Sequence, residues 1–134
     1  AIEHLLGSMT GHSPRGDGGA LLYLIETPDG TILFQDTSGH WTGIVDDVTV
    51  DVAIVAAAGR ANVDGEPIQG TLAEFVADHV RRTGAKRAVL CHHDDWLPGF
   101  SIDTDVAPIR AALADVAPAT ELLELGYVDG TTLF

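Results

Sequence analysis

Apolar residues in this chain come in short runs, separated by glycine, proline and acidic residues. Residues 2–9, IEHLLGSM, are mostly apolar and predict a strand ending near Met9, followed by the polar, glycine-rich TGHSPRGDGG. ALLYLIE and TILFQD flank TPDG, which predicts a hairpin: Pro28 presets φ, and Asp29-Gly30 is turn chemistry. Both arms are nearly continuous in apolar residues, which predicts burial on two faces. DVAIVAAA at 51–58 is a further buried-strand candidate, and a loop rich in Gly, Asn and Asp follows it.

The clearest helix follows. Thr71 and Glu74 have the spacing of a capping box, and Leu72, Phe75, Val76 and Val80 share one stripe. Arg81 and Arg82 occupy the last turn, and Gly84 is placed to stop the helix. KRAVLC then predicts a strand. A second helix is expected from about Thr104 or Asp105, burying Val106, Ile109, Leu113 and Val116 and ending before Pro118. ELLEL and TTLF predict closing strands around the turn YVDG. The order is strand, hairpin, strand, helix, strand, helix, strand pair. It implies an α/β or α+β domain with a mixed sheet and helices on one face, and the other apolar face needs a cover of its own.

Composition narrows the function classes. The 134 residues suit a single domain spanning 1–134, and 46% hydrophobic residues suffice for a packed core. Neither a membrane-length apolar stretch nor a signal-type opening is present. Twenty acidic residues against seven basic ones give a net charge of −13, which argues against nucleic acid and anionic membranes as partners and otherwise reads as solubility. The single Cys91 allows no internal disulfide and fits a reducing cytoplasm.

Three polar residues end apolar runs at the expected carboxyl edge of the sheet, where α/β folds gather ligands: His12, Asp36 and His92. Two imidazoles and a carboxylate form a ligand set for zinc, iron or manganese. Each has a plainer alternative, since a strand-end histidine can simply hydrogen-bond within a loop and Asp36 in DTSG is also turn chemistry. A phosphate-binding loop is not a candidate, because GDGG precedes a strand rather than a helix.

GHSPRGDGGALLYLIETPDGTILFQDTSG and VLCHHDDW resemble the third, fourth and fifth motifs of the metallo-β-lactamase fold superfamily of metal-dependent hydrolases. The resemblance implies His12, Asp36 and His92 as metal ligands, with Asp36 bridging two metals and Asp36 and His92 serving catalysis. The Asp-Asp-aromatic run puts the ligand at His92, with His93 the adjacent alternative. His40, His93, Asp94 and Trp96 would line the substrate site, and Asp94 or Asp95 would orient His92. The family's H-x-H-x-D-H motif is absent, and Gln35 stands where many relatives have glycine. The chain therefore resembles the C-terminal half of such a hydrolase, with half of an αββα sandwich. The implied activity is attack by a metal-bound hydroxide on a small-molecule substrate, an ester, lactone, amide or phosphodiester. Alone, the chain is expected to hold an incomplete zinc, iron or manganese site with little activity. Its uncovered face predicts a homodimer or a missing N-terminal partner half. The alternative is a non-catalytic binding or dimerisation module on the same scaffold. His4, His79 and Cys91 are expected to be structural.

Overall fold

The computed structural model describes residues 21–58, 69–95, 97–99, 101–125 and 130–134. Its elements are β1 (Leu22–Glu26), β2 (Thr31–Gln35), α1 (Thr42–Val45), β3 (Val52–Ala56), α2 (Leu72–Thr83), β4 (Arg87–Cys91), α3 (Ala107–Val116) and β5 (Glu121–Leu123). They form an α+β fold with a five-stranded mixed sheet in the order β1-β2-β3-β4-β5. The first pair is antiparallel, and β2 through β5 run parallel.

The TPDG hairpin forms as the sequence predicts. The Thr27 N–H donates to the Gly30 carbonyl at 2.9 Å, and the Thr27 hydroxyl accepts from the Asp29 and Gly30 N–H groups. The two-faced burial expected of its arms holds unevenly. In β2, Leu33 and Gln35 are buried, whereas Tyr23, Leu24 and Ile25 of β1 are each about half exposed. The reason is position: β1 is the outermost of the described strands and has a neighbour on one side only.

Register sorts the sheet into two faces. Leu33, Ala53 and Ala88 are successive partners, as are Val55 and Leu90 in the next row. These side chains share a buried cluster with Phe75, Val76 and Val80 of α2 and Ile109 and Leu113 of α3, so both long helices pack on this face. Each Val, Leu, Ile or Phe among them contributes roughly 1.5–3 kcal/mol on burial, and each alanine less. The opposite face carries Tyr23, Ile25, Ile32, Phe34, Val52, Ile54, Val89 and Leu123, paired in register across the strands.

α2 matches its sequence signals throughout. The Thr71 side chain accepts from the Glu74 N–H while the Glu74 carboxylate accepts from the Thr71 N–H, and Gly84 closes the helix at φ +62°. That left-handed conformation suits glycine, which has no Cβ to clash. α3 begins at Ala107, later than the polar Thr104-Asp105 pair suggests. Pro108 suits the first turn, where its missing N–H costs nothing, and the Asp105 carboxylate accepts from the Ala107 N–H at 3.0 Å. Ile109 and Leu113 are buried, but Val116 is 40% exposed at the frayed end. The expected closing strand at TTLF does not form, and β5 is three residues long. The predicted first strand and the YVD of the last turn lie outside the described residues, and no described helix is long and apolar enough to cross a membrane.

The end of the sheet opposite the candidate site is fastened by Asp51. Its carboxylate accepts from the Thr31 N–H at 3.0 Å and from Lys86 Nζ at 2.8 Å, while its carbonyl accepts from the Lys86 and Arg87 N–H groups. The Lys86 bond first, and then the Thr31 donors, hold the carboxyl down at about 2. A group whose pKa is lowered on folding stabilises the native state above its unfolded value, and that contribution is lost as pH falls through the folded one. Asp51→Asn is therefore expected to lower the Tm at pH 7, with the gap to the native chain narrowing from pH 4 toward pH 2 in thermal denaturation.

Candidate functional site

Parallel β2, β3 and β4 all end at the same rim. Gln35 is opposite Val55 and Cys91 is opposite Ala56, so the end of β3 lies between Asp36 and Cys91-His92. Two strand spacings of about 4.8 Å separate β2 from β4 at this level. The gap is bridged because β3 ends in a small residue, Ala56, over which longer side chains can meet. His92 Nε2 stands 2.7 Å from Asp36 Oδ1, and Cys91 Sγ lies 3.8 Å from the same oxygen and 3.9 Å from the Gln35 carbonyl.

His92 also has φ +55°, rare for a residue with a Cβ, and this left-handed turn ends β4 and turns the imidazole toward Asp36. An ionised carboxylate only accepts hydrogen bonds, so the short contact puts the His92 proton on Nε2. Both side chains are substantially exposed, at 40% and 51%. The Cys91 thiol is pushed up to about 12 by burial and then by the Asp36 charge. It is therefore a neutral thiol, as expected of a half-buried strand residue.

The sequence did not single out Gln35 as a builder of this site. Gln35 is 2% exposed, and its amide donates to the carbonyls of Thr37 (2.8 Å) and Gly39, which shapes the turn that presents Asp36. The only sequence signal was a polar residue inside an apolar run.

His40 does not face this rim. Its buried ring packs on helix α2, with centroids 5.6 Å from Phe75 and 5.3 Å from His79. The physical reason is the turn Thr37–Gly39, where Gly39 at φ +90° sends the chain to the helix-covered face. Gln69 holds it there, accepting from the His40 N–H and donating to the His40 carbonyl. His93 is half-buried, and its carbonyl accepts from the Thr104 N–H at 2.8 Å. Asp94 is half-buried in the same segment. Asp95 is tied into the 95–103 loop rather than to His92: its carboxylate accepts from the Ser101 hydroxyl and its N–H donates to Asp103. His12 and Trp96 lie outside the described residues.

The Asp36–His92 pair has the donor chemistry of a metal site. Two ligands of one tetrahedral zinc, each about 2.0–2.1 Å from the ion, would sit about 3.3 Å apart. At 2.7 Å the pair is hydrogen-bonded to itself, and holding an ion would require the two atoms to part by about half an ångström. Among the described residues no third His, Cys, Asp or Glu joins them in a metal-holding group. No protein-family model and no curated protein matches the sequence.

The contact between Asp36 and the thiol gives a direct probe of this geometry. Only the thiolate attacks disulfide reagents, and the Asp36 charge opposes its formation. Asp36→Asn is expected to speed modification of Cys91 by such a reagent at pH 8 roughly tenfold. An unchanged rate would show that Asp36 and Cys91 are not in contact.

Proposed function

We propose that this chain supplies the carboxylate–imidazole part of a metal-dependent hydrolase site, with Asp36 and His92 as its reactive residues. The single observation supporting this is their meeting across β3 at 2.7 Å, from strands that are not neighbours. A turn chemistry role for Asp36 alone would not require that meeting. The resemblance to the metallo-β-lactamase fold superfamily makes His12 the third ligand and zinc, iron or manganese the ion. When bound, such an ion lowers the pKa of a coordinated water toward ~7 and polarises the bond under attack.

The chain's own residues perform the rest. Asp36, braced through Gln35, would accept the proton of an attacking water or orient it; in the metal-free chain His92 holds the carboxylate through Nε2–H, a bond that an ion held by the pair would replace. The exposure of both side chains leaves them open to an ester, lactone, amide or phosphodiester. Two described ligands make a weak site, so the isolated chain turns over little substrate. A non-catalytic binding module is the second reading, and what favours it is that Asp36 and His92 already satisfy one another.

Calorimetric titration with Zn²⁺ separates the two. Weak binding is expected in the native chain, reduced roughly tenfold or more by Asp36→Asn, His92→Gln and His12→Gln separately. Equal binding in all four proteins, or none in any, would leave the binding-module reading. Robust ester hydrolysis by the purified chain with Zn²⁺ would overturn the incomplete-site reading.

We further propose that the apolar sheet face pairs with a second copy. The exposed part is its β1–β2 side, where Tyr23 and Ile25 are 51% and 44% exposed beside half-buried Ile32 and Phe34, while Val52 and Val89 farther along the face are already buried. Leaving that surface in water costs about 25 cal/mol per Å². Sedimentation at micromolar concentration is expected to give twice the 14.1 kDa chain mass, reverting to monomer in Ile25→Glu. A clean 14.1 kDa species in the native protein would refute the dimer.

A further inference from the structure

Behind the turn that carries Asp36 lies a second group of titratable residues, distinct from the Asp36–His92 pair. His79 is completely buried and His40 is 5% exposed, and their rings meet edge to face at 5.3 Å beside Phe75. Among the described residues, neither ring nitrogen of His79 nor His40 Nδ1 has a hydrogen-bond partner, and His40 Nε2 has only Asp78 nearby. The charges facing His40 are Asp78, Arg82 and Asp46, and those facing His79 are Asp78 and His40 itself. Asp78 is the counter-ion of His40, its Oδ2 3.3 Å from His40 Nε2, and its charge opposes but does not cancel the effect of burial on that imidazole. Its two oxygens are already engaged by Arg81 at 2.7 Å and Arg82 at 2.6 Å, and Arg82 is shared with Asp46.

The socket thus holds two neutral imidazoles as if they were apolar rings. Protonation of His79 would bring a cation and unsatisfied donors into the core beside a second imidazole, where a buried charge without a contacting partner is strongly disfavoured. The two histidines differ in how easily they can leave. His79 belongs to the middle of the 12-residue, box-capped α2, whereas His40 ends a turn held by the side-chain amides of Gln35 and Gln69.

We propose that His40 and His79 form an acid-operated latch on the turn that carries Asp36: protonation of the pair expels His40 from α2 and withdraws Asp36 from His92, while the sheet stays folded. Burial, and for His79 also the neighbouring His40, lowers both imidazoles, His79 to about 4. The sign follows: the open form binds protons that the closed form refuses, so closure is favoured above about pH 6.5 and weakens as pH falls toward 4. His79 alone then shifts the open-to-closed ratio by roughly a hundredfold at pH 4. The opening rests on the socket alone; only its consequence for catalysis depends on the hydrolase reading.

Amide hydrogen exchange by NMR from pH 7 to pH 4, corrected for intrinsic rates, tests the latch without metal or substrate. The His40 amide, bonded to Gln69, and the Val45 and Asp46 amides of α1 are expected to lose roughly a hundredfold in protection, while β3 and β4 keep theirs. His79→Leu, or His40→Phe, which fills the socket with a ring that cannot titrate, is expected to abolish most of that loss. Loss of strand and turn protection together in the native chain would mean simple acid unfolding and would overturn the latch. Flat turn protection across the range, or a loss undiminished in a folded variant, would overturn it equally.

Discussion

Everything at the rim depends on β3 being narrow where its neighbours are long. In a parallel sheet, side chains from strands two places apart meet only if the strand between them ends in small residues. Ala56 meets that condition on the face where Asp36, Cys91 and His92 converge, while Ala57 joins the cluster under the helices. The same alanines are buried, so the strand gives up side-chain volume without exposing backbone. A larger residue at 56 would fill the space where carboxylate and thiol meet, at a typical overpacking cost of about 1–3 kcal/mol. Core packing and site geometry are therefore set by the same residues.

Helix α2 extends that coupling to the other side of the sheet. Phe75, Val76 and Val80 supply its apolar contact with the strands, while Phe75 and His79, one turn apart, form the surface on which His40 rests. Arg82, itself held by Asp78, fastens the helix to the segment after α1 through Asp46. The turn between β2 and α1 is thus held at both ends: Gln35 fixes the side near Asp36, and His40 with Gln69 fixes the side near the helix. Gln35 is a buried polar residue inside an otherwise apolar strand; its Nε2 satisfies two backbone carbonyls, while its Oε1 has no partner among the described residues.

Local signals carried far in this sequence. The capping box, the αL glycine and the TPDG turn all appear where residue chemistry put them, because each depends on contacts within a few positions. β4 ends at the HHDD run as expected, since a buried strand cannot continue into four titratable side chains. The ends of the remaining elements were less legible. Thr104 and Asp105 look like a helix start, yet the Thr104 hydroxyl bonds the Ala57 carbonyl and its N–H bonds His93. Long-range partners took both groups out of the competition for a cap. TTLF has the composition of a strand but forms none, because composition does not supply a neighbouring strand.

By itself the sequence determined the hairpin, β3, β4, the two long helices and the candidacy of Asp36 and His92, but not the short α1 or the absence of a strand at TTLF, since hydrophobic period, caps and turns are properties of neighbouring residues. Only the tertiary structure decided which candidates meet. Strand order placed Asp36 and His92 on one rim, and a glycine turn carried His40, four residues from Asp36, to the opposite side of the sheet. The physical reason is that register and strand order are fixed by packing across the whole core. A histidine's fate therefore turns on which layer receives its strand, and neither the histidine nor its immediate neighbours encode that.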